Sequence, residues 1–315
     1  MQFKSILASA VMGGALVVGA YGGAQAAPLD SFFQAGENLL DDDSQEWFVT
    51  YDDNGNQIVL DTTSEYADTS LLELSQTLEN GLYIRGVFEI DTVNGEQLIS
   101  GVDSELTGIF ELRLNWNGFA YELTASEYFA DEALGWGYTN VEGATVAFFE
   151  GSGATNNLDI EYNPEDFPQP SDDTTIVEYE ADATDGDAFW LAGLDGEDDF
   201  WSAFIANPIV TINQLYASQG DAVQVGFYNL AVSLLEAGTG PELAEFDCGA
   251  LLGNPMAHFC GNGGLDAAVV DGIEAASSND IDLRVLIVPE PATLGLFGLG
   301  LLGVAGYARA RRKAA

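Results

Sequence analysis

Three Asn-Gly pairs, Asn54-Gly55, Asn94-Gly95 and Asn117-Gly118, each stand between two short runs rich in aromatic and β-branched residues. Such a pair supplies the positive φ angles of a tight hairpin turn, while the flanking runs alternate their side chains between core and solvent. The pattern predicts hairpins from residues 47–51 with 57–60, 82–91 with 96–100, and 109–116 with 119–124. Further strands are expected at 144–149, 158–162, 174–180, 188–192, 200–206, 222–228 and 281–288, the last closing the fold. Residues 69–78, 230–237 and 265–276 read as short helices, and the proline-rich stretch 163–173 as a long connection. The expected fold class is all-β with minor short helices, an antiparallel β-sandwich of jelly-roll type.

Charge narrows the partners. Between residues 27 and 288 the basic residues are Arg85, Arg113 and Arg284, against fifty carboxylates, for a formal charge of −47. Affinity for nucleic acid comes from clustered Lys and Arg, so nucleic acid is excluded as a partner. The same segment is rich in Phe, Tyr, Trp, Val, Ile and Leu, which sets it apart from a disordered acidic chain and gives it enough apolar surface for a core. The carboxylates read first as solubilising charge and second as oxygen ligands for calcium.

The two ends read as address labels. Lys4, the apolar run 6–21 and the small-residue site Ala24-Gln25-Ala26 form a signal peptide over residues 1–26, cleaved before Ala27 by signal peptidase. At the other end, Pro289-Glu290-Pro291 precedes an uncharged Gly-rich stretch and then Arg309, Arg311, Arg312 and Lys313. Residues 292–308 would make a helix of roughly 25 Å, a short membrane span whose basic flank stays cytoplasmic. The inner membrane is thus a transient partner. This tail, residues 289–315, resembles the PEP-CTERM sorting signal of Gram-negative bacteria. The resemblance implies an exosortase as processing partner, and release or transfer of the body, residues 27–288, to the cell surface or extracellular matrix. It says nothing about the body's own activity.

Within the body, Cys248 and Cys260 bracket a Gly-containing loop in an exported chain and are expected to form a disulfide. His258, the sole histidine, lies inside that loop and is expected to be exposed, so neither a histidine-assisted nucleophile nor a zinc site is indicated, and no catalytic residue is named. Asp52, Asn54 and Asn56 alternate as oxygen donors, but Gln57 and Thr63 stand where an EF-hand needs Gly and Glu. An internal echo is more suggestive. Asp185 and Asp187 precede Phe189-Trp190, and Asp195, Glu197 and Asp199 precede Phe200-Trp201. The acids are candidate calcium ligands, and Trp190 and Trp201 candidate sugar-stacking rings. The plainer reading makes the rings hairpin core and the acids solvated turns. The leading expectation is a non-enzymatic surface or matrix protein associated with exopolysaccharide or biofilm. The alternatives are a calcium-assisted carbohydrate-binding module and a secreted polysaccharide hydrolase using two carboxylates.

Overall fold

The computed structural model describes residues 31–61, 63–98, 105–151, 188–205, 207–217, 223–238, 240–267 and 277–288. Its strands are β1 (Gly36–Tyr51), β2 (Gln57–Val59), β3 (Leu82–Val93), β4 (Glu96–Gln97), β5 (Glu105–Trp116), β6 (Tyr121–Ala125) and β7 (Ala144–Gly151). They continue with β8 (Ala188–Gly193), β9 (Phe200–Ile205), β10 (Val223–Ala237), β11 (Phe246–Asp247), β12 (Met256–Ala257), β13 (Phe259–Ala267) and β14 (Ser277–Ile287). The helices are α1 (Leu71–Thr77), α2 (Glu127–Gly135) and α3 (Ile212–Ala217). Among the described residues no helix is long and apolar enough to cross a membrane, and the tail expected to do so lies outside them.

The first and third predicted hairpins form, and the second turns at Asn94-Gly95 as expected but pairs Thr92 and Val93 with Gln97 and Glu96, just beyond the expected strand 82–91, while residues 99–100 lie outside the described residues. Asn94 and Gly95 both take positive φ, at 57° and 75°, as their turn requires. Beyond the hairpins, the antiparallel pairings run β1–β3–β5–β7–β8–β10–β13–β14 and return to β1, so the sheet closes on itself. Expected as two packed sheets, the fold is a single closed wall, and β14 is the strand that closes it, between β1 and β13. One arc of the wall is built twice. At one end β5 and β10 are bridged by β7 and β8, and at the other by β6 and β9. Closure removes free edges from the ring, which a sandwich must protect by other means.

Alternation then fills the interior. Leu82, Ile84, Phe88 and Ile90 of β3 point inward with Leu106, Phe110, Leu112 and Leu114 of β5, Tyr228, Leu230 and Val232 of β10, and Leu283, Val285 and Ile287 of β14. Phe88 lies over Gly108, its cross-strand partner, which leaves room for the ring. Among the described residues the packed interior leaves cavities of about 10 and 20 Å³ between its side chains, each with room for about one water. One end is stoppered by α1 and α3, which bury Leu71, Leu74, Ile212 and Leu215; the start of α1 is tied to the segment leading into α3 by Leu71 N–H to Val210 O and Leu72 N–H to Pro208 O. Ser70 caps α1 by accepting the Glu73 N–H, in the Ser-x-x-Glu pattern of a capping box.

Three local readings change. Residues 230–237, read as helical, are the second half of β10, because Leu230, Val232 and Leu234 serve strand alternation against β13 and β8. Residues 265–267 likewise extend β13, and 268–276 lie outside the described residues, as do the expected strands 158–162 and 174–180 and the connection 163–173. The helix α2 was not foreseen. Ser126 caps it, and Phe129, Ala133, Trp136 and Tyr138 pack with Trp47, Val49, Ile109 and Phe149 as a second apolar layer on the outside of the wall.

Candidate functional site

The chain enters and leaves the barrel at the same end, since Gly36 pairs with Ile287. The exit is clamped on a second side: Leu243 bridges Ile287, the Ala244 N–H donates to Leu286 O, and the Val288 N–H donates to Glu242 O. The disulfide Cys248–Cys260 forms as expected and fastens the excursion that supplies this clamp. Arg284 of β14 joins it, donating to Cys248 O at 2.6 Å, lying over the Phe246 ring, and pairing with Glu37 at 3.6 Å. His258, expected to be exposed, is half-buried: its Nδ1 accepts the Leu234 N–H at 3.1 Å, and burial lowers its pKa. The sorting residues Pro289, Glu290 and Pro291, the cluster Arg309, Arg311, Arg312 and Lys313, and the cleavage residues Ala24, Ala26 and Ala27 all lie outside the described residues.

The twin aromatic segments follow the plainer reading and build core, not a sugar-stacking platform. Trp190 has no exposed surface and Trp201 only 6%. Trp190 is wedged edge-on among Phe33, Phe148 and Phe259, with its indole N–H donated to Pro241 O, while Trp201 packs inside against Phe110 and Tyr228. Nor are β8 and β9 a hairpin pair: each pairs with a different half of β10, so the two indoles sit at successive levels of the barrel. Of the acids, Asp185 and Asp187 lie outside the described residues. Asp195 and Glu197 are exposed, and Asp199 closes their turn by accepting the N–H groups of Asp195 and Gly196. Among the described residues no group of three or more His, Cys, Asp or Glu side chains is placed to hold a metal. Asp52, likewise, accepts four hydrogen bonds from Asn54 and Asn56 across its turn; those from Asn56 lead in drawing its pKa down to about 2.

The strongest electrostatic cluster is one that sequence could not single out. Under α2, Arg85 of β3 donates to Glu111 of β5 at 3.0 Å and forks onto both oxygens of Glu132 of α2, at 2.8 and 2.6 Å. Tyr51 and Ser126 hydroxyls donate to the two oxygens of Glu111, each at 2.5 Å. Burial works against the charge on Arg85, but Glu132 and Glu111 outweigh it and hold its pKa well above the usual value. Burial, then Glu111, pushes Tyr51 far up, which keeps it a donor. Glu111 has no exposed surface, and the carboxylate pair, with Arg85 between them, fastens α2 to the wall. Two more acids, Asp42 and Glu46, are buried on the inward face of β1, where Ser44 donates to Glu46.

A feature of the outer wall points instead to solvent. Phe119, in the β5–β6 turn, is 77% exposed, and Phe204 of β9 and Phe227 of β10 are 45% and 51% exposed. Phe204 and Phe227 are direct cross-strand partners on the outer face, and the Phe119 and Phe204 ring centroids are 6.0 Å apart, so three exposed phenylalanines stand in a row of neighbouring positions. Two residues along each strand runs a second, polar row in register: Glu122 of β6, Ser202 of β9, Asn229 of β10, Asn262 of β13 and Asp282 of β14. Adjacent members stand about 4.8 Å apart across the strands, and the two rows about 6.8 Å apart along them. In the sequence, the signal was Phe204 and Phe227 standing in the polar phase of otherwise alternating strands.

Compared with known families, residues 288–313 match the PEP-CTERM protein-sorting motif, which follows directly on the clamped end of β14. The chain is therefore an exosortase-targeted exported protein, with an exosortase as its processing partner. The match covers the tail, and the body has no family match. Comparison with curated proteins and with solved structures yields no match in either set.

Proposed function

We propose that the protein is a non-enzymatic component of the cell surface or extracellular matrix, acting there in the organisation of exopolysaccharide or biofilm. The sorting motif beginning at Val288 carries the reading, because it directs the body out of the cell. The form of the body supports it. A closed wall with an apolar core, its buried carboxylates held by Arg85 or enclosed in that core, is suited to presenting an outer surface. Deleting the gene should reduce matrix retention and cell aggregation, and complementation with the intact chain should restore both. Unchanged retention and aggregation would sink the proposal.

Calcium-assisted carbohydrate binding is the second reading, with the exposed Asp195 and Glu197 beside the Asp199-closed turn as the ligands it would use. Calorimetric titration with calcium should then show a saturable site and a raised melting temperature. No heat of binding and an unchanged melt would leave these acids as solubilising charge.

A further inference from the structure

We propose that the Phe119–Phe204–Phe227 row, together with the Ser202–Asn229–Asn262 row beside it, is a binding site for a neutral polysaccharide. The inference rests on the matrix reading above and gives it a surface. Phenyl rings exposed side by side on a soluble protein mark an interaction site, since isolated apolar residues scatter while these three adjoin. The apolar faces of sugar rings, lined with C–H groups, complement the electron-rich faces of such rings. Sugar hydroxyls, in turn, need donors and acceptors at a fixed distance from the stacking surface. The Asn229 and Asn262 amides, cross-strand partners on the outer face, supply both, and neither makes a side-chain hydrogen bond among the described residues.

Charge chooses among the occupants. Glu122 and Asp282 stand at the two ends of the polar row, on a body of formal charge −47. An acidic glycan, an anionic lipid surface and a second copy of this chain are all repelled by that field, whereas an uncharged glycan is not. The two carboxylates are further acceptors for hydroxyls. From β6 to β14 the polar row crosses five strands, about 19 Å, which is long enough for several sugar units in an extended chain. The site also lies at the right place. The pairing of Trp116 with Tyr121, and of Gly36 with Ile287, puts the Phe119 turn at the barrel end opposite the one from which Val288 emerges. The rings thus lie at the end remote from Val288.

The test is affinity electrophoresis and calorimetry of the full chain in mild detergent, with dextran and hydroxyethyl cellulose as neutral probes and alginate as the anionic one. At least one neutral polymer should retard the protein, and alginate should not. Phe204→Ser and Phe227→Ser should each weaken binding by about tenfold. Phe227→Tyr should keep it, and Asn229→Ala should weaken it with the fold intact by near-ultraviolet circular dichroism. Binding to no neutral polymer, equal binding by the serine variants, preference for alginate, or a dimer abolished by Phe227→Ser would each overturn the proposal. A Phe204→Ser/Phe227→Ser chain that no longer binds glycan yet stays in the matrix of living cells would overturn this site and leave the matrix role standing. Loss of retention in the gene deletion but not in this variant separates the two in the same way.

Discussion

Replacing Arg85 by Met removes the only cation among the described residues of a cluster that holds two carboxylates under α2. Glu132 can turn toward water, because 20% of its side chain is already exposed, but Glu111 has no exposed surface and is left charged with two hydroxyl donors. Removing one partner of a buried ion pair in this way costs about 3–5 kcal/mol. For a domain of this size that corresponds to a melting temperature lower by about 6–20 °C. The second variant locates the cause. Arg85→Met combined with Glu111→Gln removes the stranded charge while keeping an acceptor for Tyr51 or Ser126, and should recover about 1–3 kcal/mol of the loss. Urea unfolding followed by tryptophan fluorescence measures both, with the midpoint carrying the change and the slope constant. If Arg85→Met costs under about 1 kcal/mol, or if adding Glu111→Gln lowers stability further, then buried charge is not what makes this cluster cohere.

Other outcomes follow from the same geometry. Gly108→Ala would bring a methyl within 2.5 Å of three atoms of the Phe88 ring, itself packed against Phe110 and Phe148, so unfolding should show a loss of about 1–3 kcal/mol. A chain ending at residue 276 lacks β14 and leaves β1 and β13 unclosed; it should lose its near-ultraviolet circular dichroism and its cooperative melt, and retention of either would refute closure by the last strand. The Asp52 carboxylate should titrate near pH 2 by NMR, and Asn56→Ala should raise its midpoint toward 3.8. Because its folded pKa is depressed, the turn's contribution to stability is present above pH 3.8 and is lost as pH falls through about 2. An unchanged Asp52 midpoint in Asn56→Ala would refute that account of the turn.

The local β structure was legible because its causes are local: an Asn-Gly pair and a period-two pattern form the same hairpin whatever lies across the barrel. The α2 helix was obscured because its sequence, EYFADEALG, carries aromatic residues that suit a strand equally well, and only the apolar outer faces of β1, β3, β5 and β7 reward it for being helical. Residues 230–237 failed in the opposite direction. Their leucines and two alanines favour a helix, but β8 and β13 offer strand partners along this segment.

What the sequence by itself determined is the route of the chain and the class of its fold. The sorting motif is a linear signal, and the hairpins, the disulfide and the closing strand, read at 281–288 and observed as Ser277–Ile287, depend on neighbours in the chain or on chemistry carried by single residues. What only the tertiary structure decided is which side of each strand meets solvent and which distant groups meet at all. Alternation distinguishes two faces without saying which one a closed wall turns inward. That choice sank Trp190 and Trp201 into the core, matched Arg85 to Glu111 and Glu132 out of fifty carboxylates in the body, and lined up Phe119, Phe204 and Phe227 from three separate elements on the outside.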